Sequence, residues 1–447
     1  MSGRLFGTDG IRGIANVHPM TAEMALAIGR AAGYVFQQEK RAHTILIGKD
    51  TRLSGYMFEN ALTAGLCSVG VHVLLVGPLP TPGVSYIMRS LRCDGAIMIS
   101  ASHNLYQYNG IKFFGPDGFK IPDEMEEAIE RLVATHALDD VRPTAEQVGT
   151  ARRIDDACGR YIEFAKASFP KGMRLDGLRI VCDCANGASY KVGPYALAEL
   201  GATVVPIANK PNGTNINDGC GSVHPEEMRA TVIRERSDLG IAFDGDGDRI
   251  VMADQEGRLL DGNALLAILA VDLLERGLLP QNTVATTIMA NGGLERALAP
   301  WGGKVVWNSV GDRYVVEAMR AGGLTLGGEP SGHIILLEHN TTGDALIGAL
   351  QVLATLIRRD QPLSGLASIY QPLPEAHASV SMDGRAFPPP EALAQLQREG
   401  EKEVGAAGRV VIRPSGTEPV IRVMVQHEML RKAEALARQL ADRVPSL

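Results

Sequence analysis

The run Ala96-Ile97-Met98-Ile99-Ser100-Ala101-Ser102-His103-Asn104, followed by Asn109-Gly110-Ile111-Lys112-Phe113-Phe114, decides how this chain is organised. Four apolar residues suited to a buried strand stop at small polar ones that cannot continue it, which predicts a tight turn at a strand end with Ser102 on it. Chains that alternate strands and helices carry their chemistry at such ends. Three other stretches are too polar and turn-rich for core: Asp244-Gly245-Asp246-Gly247-Asp248-Arg249, Gly327-Gly328-Glu329-Pro330-Ser331-Gly332-His333 and Arg413-Pro414-Ser415-Gly416-Thr417-Glu418-Pro419. They read as loops built to meet Ser102.

Upstream of that turn, Thr21 caps a helix carrying Met24, Ile28, Ala31 and Val35 on one face. A β run at 44–48, a polar loop at 49–55, a helix ending near Val69 and a β run at 71–76 follow. This order is the βαβ pattern of a mostly parallel sheet. Residues 3–14, rich in glycine and charge, read as an irregular segment that either carries Arg12 to a site or leaves it solvated. The polar stretch 137–152, with Pro143, predicts a domain boundary near 150.

Further along, a strand at 178–183, a helix at 226–234 and a strand at 240–243 form a second α/β unit. A third resembles it, since the apolar runs before Ala185-Asn186-Gly187 and Ala290-Asn291-Gly292 end alike, as in a weak internal repeat. Around Gln371-Pro372-Leu373-Pro374 the pattern changes to an α+β tail. Expected domains are therefore 1–152, 153–256, 257–370 and 371–447.

A chain of 447 residues exceeds what one core serves. With 45% hydrophobic and 21% charged residues it should be folded throughout. The net charge of -7 speaks against nucleic acid or an anionic membrane as the main partner and for small anionic molecules. No apolar core of a signal peptide follows Met1, and the run 264–271 is broken by Asp272 before it could span a bilayer, so a cytoplasmic protein is expected. Six cysteines show no framework of paired spacings, and Cys182 and Cys184 read as small strand residues rather than a metal site.

Asp244, Asp246 and Asp248 alternate with glycines, so the loop can curl and aim three carboxylates at one centre. Unneutralised, they would repel strongly. Hard oxygen ligands in this number suit Mg²⁺, which fills its remaining positions from water or phosphate. A calcium EF-hand fits poorly, with Arg249 at its sixth position and Gln255 at its twelfth. Ser102 lies in no Gly-x-Ser-x-Gly elbow, and Lys112 follows ten residues on. A phosphoryl group on its hydroxyl would place an oxygen where the metal needs one. Arg413, Ser415 and Thr417, with Arg422 beyond, have the composition of a phosphate cradle. Glu329, Ser331 and His333 offer donors and acceptors for sugar hydroxyls, or make a polar turn.

Taken in this order, the motifs resemble the α-D-phosphohexomutase superfamily over essentially the whole chain. Phe6-Gly7-Thr8-Asp9-Gly10-Ile11-Arg12-Gly13, Asn215-Ile216-Asn217 with Cys220-Gly221-Ser222, and Val310-Gly311-Asp312-Arg313-Tyr314-Val315 are similar to the bacterial phosphoglucosamine mutases within it. The resemblance implies an α/β fold: three similar α/β domains with mixed, mostly parallel sheets plus a C-terminal α+β domain around a central cleft. It implies Ser102 as phosphoserine, with Asp244, Asp246 and Asp248 as ligands of one Mg²⁺ to which Ser102 also contributes. His103, Lys112 and Arg249 would balance charge and assist proton transfer. Glu329 and Ser331, with His333 nearby, would hold the sugar. Arg413, Ser415, Gly416, Thr417 and Arg422 would hold the phosphate not being transferred, and Arg12 joins the substrate-binding set. The implied reaction interconverts glucosamine 6-phosphate and glucosamine 1-phosphate, with glucosamine 1,6-bisphosphate or a similar bisphosphate as activator. Partners would be sugar phosphates, neither nucleic acid nor membrane, with a homodimer allowed. Leu105, Tyr108 and Pro330 depart from the usual pattern. The competing readings are a phosphomannomutase or phosphoglucomutase of the same superfamily and, behind it, an aspartate-nucleophile sugar phosphatase using Asp244 and Asp246, which would need neither Ser102 nor a second phosphate cradle.

Overall fold

The computed structural model describes residues 4–7, 9–37, 41–415 and 419–446. Gly416 and Thr417 lie outside the described residues. In the first sheet β1 (Ile11–Ile14), β2 (Thr44–Lys49), β3 (His72–Pro78), β4 (Gly95–Ile99), β5 (Tyr108–Phe114) and β6 (Ala151–Arg153) lie in the order β1-β5-β4-β2-β3-β6. The second holds β7 (Arg179–Asp183), β8 (Thr203–Ile207), β9 (Leu239–Phe243), β10 (Ile250–Asp254) and β11 (Leu259–Leu260), ordered β11-β10-β9-β7-β8. The third has β12 (Thr283–Thr287), β13 (Lys304–Asn308), β14 (Leu326–Gly328) and β15 (Ile334–Leu336), ordered β13-β12-β14-β15. An antiparallel sheet of β16 (Glu375–Ser381), β18 (Val420–His427) and β17 (Gly408–Pro414) forms the C-terminal domain.

The internal repeat that Ala-Asn-Gly hinted at is topological. In each of the first three sheets two neighbouring strands are parallel, a third joins them in parallel, and that third strand turns back as an antiparallel hairpin. The hairpins are β4–β5, β9–β10 and β14–β15. Their tips hold Ser102, the three aspartates and Glu329–His333 respectively, so one architectural position serves three times.

β4 shows why its sequence is apolar without alternation. Ala96 and Met98 face one core while Ile97 and Ile99 face another, and strands covered on both sides need apolar residues throughout. The second of these cores is closed by the helices Ala22–Phe36 and Gly55–Cys67 through Ile28, Ala32, Phe58 and Leu62. The first continues without a break through Leu46, Met98, Ile180, Ile241, Val284 and Leu326, which come from three different sheets. The C-terminal domain keeps its own core, around Leu396, Val423 and Leu436.

Thr21 caps its helix as its sequence predicts, accepting a hydrogen bond from Met24 N. The segment 3–14 is not wholly irregular, because Ile11–Ile14 pairs with β5 as an edge strand. Four residues carry too little pattern to reveal a strand that exists only through its partner. Strand β6 pairs with β3, so the first sheet runs to Arg153. All six cysteines are free. Among the described residues no helix is long and apolar enough to cross a membrane.

Candidate active site

Ser102 sits just past β4 with φ of 52°, in the left-handed region. For a residue with a side chain this costs about 1–3 kcal/mol. Local bonds offset it. Ser102 N donates to Ser100 Oγ at 2.9 Å, and Ser100 Oγ donates to Asp50 Oδ2 at 2.7 Å. The Ser102 hydroxyl is thereby aimed out of its own domain, and donates to Asp244 Oδ2 at 2.7 Å.

The aspartate loop closes the β9–β10 hairpin and is held from three sides. Thr81 of the first domain donates its backbone N–H to Asp246 O and its hydroxyl to Asp246 Oδ2. Ala345 N donates to Gly247 O, and Ile250 N donates to Gly332 O, tying the loop to the third domain. A side chain at Gly332 would meet Ile250 O at 1.9 Å, and φ there is 88°, so this crossing requires glycine.

Ligand oxygens of Asp244, Asp246 and Asp248 lie within 4.8 Å of one another, all buried. Asp246 Oδ1 and Asp248 Oδ1 have no hydrogen-bond partner among the described residues. Buried carboxylate oxygens left this way are costly unless a cation takes them. The donor set is all oxygen and anionic, which fits Mg²⁺. Burial, together with the charges of Asp248 and Asp246, pushes the Asp244 carboxyl far above its ordinary range.

Cations surround the triad. Lys112 is buried and lies 2.9 Å from Asp246, 3.2 Å from Asp9 and 3.7 Å from Asp248. Burial opposes its charge, but those carboxylates outweigh burial and hold the ammonium firmly protonated. Burial would likewise raise Asp248, yet Lys112, His333 and Arg249 overcome it and keep that carboxylate ionised. His333, buried, stands 3.7 Å from Asp248 and 3.5 Å from Asp312, and the two acids raise it against burial to about 9. His103 behaves oppositely. Burial and the neighbouring charges of Arg249 and Arg12 push it down to about 4, and its Nδ1 is 2.9 Å from Arg249 Nη1.

An open cleft of about 540 Å³ lies above this floor, lined by Asp9, Arg12, Asp248, Arg249, Asp312, Glu329, His333, Arg413, Ser415 and Arg422. All four sheets' domains reach it. Ser102 and Lys112 do not line it; they are buried, 1% and 2% exposed, and reach it only through the aspartates they bond. Arg413 and Arg422 face each other across the β17–β18 ladder. Like charges directly opposite are unfavourable in a sheet, and an anion between them removes the penalty. Glu329 N donates to His333 O, and Ser331 Oγ donates to Glu329 Oε2 at 3.3 Å, leaving Ser331 exposed at the rim.

Several site residues had escaped the sequence reading. Lys120 bridges Asp9 and Asp312, joining the first domain to the third. Arg52 and Asn217 hold the Ser102 turn, and Asp9 pairs with Arg12 and Lys112. Asp9, Asn217 and Asp312 stand inside the quoted family motifs, the one signal that singled them out. The departures at Leu105 and Tyr108 are explained too: their carbonyls accept from Arg52 while both side chains are exposed, so the loop's shape depends little on residue type.

Four profiles of the phosphoglucomutase/phosphomannomutase family match the chain: α/β/α domain I at residues 3–139, α/β/α domain II at 159–257, α/β/α domain III at 261–373 and the C-terminal domain at 372–443. The chain is 53% identical to the phosphoglucosamine mutase of Anaeromyxobacter dehalogenans, covering 99% of this chain and 98% of the relative. Against that of Magnetococcus marinus identity is 54%, over 99% and 91%. Among solved structures, a phosphoglucomutase/phosphomannomutase family protein from Burkholderia thailandensis superposes with a TM-score of 0.83 at 23% identity, over 100% of this chain and 98% of that one. Aspergillus fumigatus N-acetylphosphoglucosamine mutase does so at 0.69 and 18%, over 99% and 95%. These two likenesses bear on the fold alone. Four matched domains in order, and full-length relatives above half identity, establish that the chain belongs to the phosphoglucomutase/phosphomannomutase family, in its phosphoglucosamine mutase branch.

Proposed function

We propose that this chain interconverts glucosamine 6-phosphate and glucosamine 1-phosphate, supplying an amino-sugar precursor for cell-wall synthesis. Ser102 would carry the phosphoryl group and a 1,6-bisphosphate would be the intermediate. The observation that carries this reading is the Ser102 hydroxyl, buried and 2.7 Å from Asp244 of an aspartate triad whose Asp248 lines the same cleft as a pair of opposed arginines.

Phosphoserine 102 would give its phosphoryl group to the free sugar hydroxyl: the Oγ–P bond breaks, a sugar O–P bond forms, the hydroxyl proton leaves to a nearby base, and the freed Ser102 oxygen takes up a proton in its place. Neutral His103 is the group we assign to that proton. Lys112, fixed as a cation by three carboxylates, instead stabilises charge on the transferring oxygens, as does Arg249. Mg²⁺ held by Asp244, Asp246 and Asp248, with Ser102 contributing, would supply Lewis-acid stabilisation of the same oxygens. Glu329 and Ser331, with His333 beside them, would orient the sugar while Arg413, Ser415 and Arg422 grip the distal phosphate, and Arg12 adds to substrate binding. The bisphosphate then turns end for end and returns its other phosphate to Ser102. Since both ends must fit both sites, the arginine pair recognises phosphate and not a particular carbon. Such an enzyme works in the cytoplasm on sugar phosphates, with the bisphosphate restoring any Ser102 that loses its phosphate. The domains we assign to these tasks are 1–152, 153–256, 257–370 and 371–447.

Ser102→Ala tests the reading. Isomerisation should vanish while sugar-phosphate binding, measured by calorimetry, persists. Turnover near the wild-type rate would place the carrier elsewhere, and labelled phosphate trapped on Asp244 would favour the aspartate phosphatase.

A further inference from the structure

The Ser102 turn is clamped from both sides. Its carbonyls at Ser102 and Asn104 each accept two hydrogen bonds, one from Arg52 Nη2 at 2.9 and 2.8 Å and one from Asn217 Nδ2 at 2.9 Å in both cases. Arg52 belongs to the first domain and Asn217 to the second. Arg52 is fully buried, and its second terminal nitrogen donates to Leu105 O and Tyr108 O, while Nε donates to Asp50 Oδ2 at 2.7 Å. That same Asp50 oxygen accepts from Ser100 Oγ, whose oxygen holds Ser102 N. One guanidinium thus fixes every turn carbonyl that it can reach and, through Asp50, the amide of Ser102 itself.

Asn217 adds what Arg52 cannot, a link to the domain that carries the aspartates. Its backbone is left-handed, with φ of 58°, and its Oδ1 is buried without a partner among the described residues. A flipped amide would set that oxygen against two carbonyls, so the donor half must face the turn. A Cβ at Gly245 would lie 2.6 Å from Ser102 O and 2.7 Å from Asn217 Nδ2, so the aspartate loop rests directly on the clamp.

We propose that Arg52 and Asn217 are positioning residues that hold the Ser102 oxygen in register with the aspartate triad across the domain boundary. The proposal rests on Ser102 being the phosphoryl carrier. Neither side chain reaches the reacting atoms, so their loss should change the rate of transfer and not the affinity for substrate. Displacement of a reacting group by about 1 Å costs on the order of 100-fold in rate.

The test is steady-state kinetics of Asn217→Ala and Arg52→Lys with glucosamine 6-phosphate and glucosamine 1,6-bisphosphate, beside Ser102→Ala. Phosphorylation of Ser102 by the bisphosphate is followed by intact mass. Asn217→Ala should lower kcat and the rate of Ser102 phosphorylation about 10- to 100-fold, with KM within about twofold and an unchanged circular dichroism spectrum. Arg52→Lys, which keeps a charge opposite Asp50 and loses the fork, should show the same split. Wild-type kcat in Asn217→Ala, or a loss carried by KM, overturns the clamp while leaving the phosphoserine reading intact if Ser102→Ala is inactive. Full turnover by Ser102→Ala overturns both.

Discussion

Replacing Lys112 with methionine keeps the length and removes the charge that three carboxylates share. Removing one partner of a buried ion pair typically costs about 3–5 kcal/mol, because the surviving charge is left uncompensated. Lys112 is 2% exposed and has acids at 2.9, 3.2 and 3.7 Å, so the upper half of that range applies. A loss of about 4 kcal/mol is roughly a thousandfold in the unfolding equilibrium. Urea unfolding in EDTA, followed by circular dichroism, measures it. Two controls make the cause specific. Saturating Mg²⁺ should shrink the deficit, since a cation among Asp244, Asp246 and Asp248 takes over part of the neutralisation. In an Asp9→Asn background, Lys112→Met should cost about 0.5–3 kcal/mol less, because one of its three acids has already lost its charge. A deficit below about 1 kcal/mol in EDTA, the size of an exposed pair, would refute the cage of charges described for this lysine.

Asp246→Asn should weaken Mg²⁺ binding in calorimetric titration, abolish the rise in melting temperature that Mg²⁺ gives the parent, and cut turnover by orders of magnitude. Arg413→Lys loses the two-pronged grip on phosphate; the apparent KM for both monophosphates should rise about 10- to 150-fold, the equivalent of about 1.5–3 kcal/mol, and equal KM values would assign that loop a purely structural role. Glu126 gives a pH signature. Burial raises its carboxyl to about 7 against the pull of Arg313, with Asp123 adding to the rise. The folded state then binds more protons than the unfolded between about pH 4.5 and about 7, so this residue makes stability fall across that window and level off above it. Glu126→Gln should therefore match the parent's melting temperature near the acid end and exceed it at the alkaline end, and a constant difference would contradict the shift.

What the sequence disclosed was local. The Ser102 turn, the alternating aspartates and the arginine before Pro414 were legible because a few neighbouring residues set both their backbone and their chemistry. The helix caps at Thr21 and the apolar run of β4 were legible for the same reason. Lys120, Arg52 and Asn217 were not, since each reaches the site through partners fifty or more residues away along the chain. The downward shift of His103 was equally hidden: it comes from burial and from the charge of Arg249, 146 positions along the chain. Strand β1 went unread because pairing with β5, and no pattern of its own, makes it a strand.

One core runs through the first three sheets while the C-terminal domain has another, and this divides the molecule thermodynamically as well as spatially. Side chains from Leu46 to Tyr370 share one packed interior, so loosening any of those three sheets exposes apolar surface belonging to the others. They should melt together, in a single broad calorimetric event. The tail, fastened to the third domain by the Asn291 bonds to Leu373, by Arg409 over Trp307 and by Gln426 on Gly292, should give a second and smaller one. Heat that frees the tail would remove from the cleft the opposed arginines that we assign to the distal phosphate, while Ser102 and its aspartates stay folded.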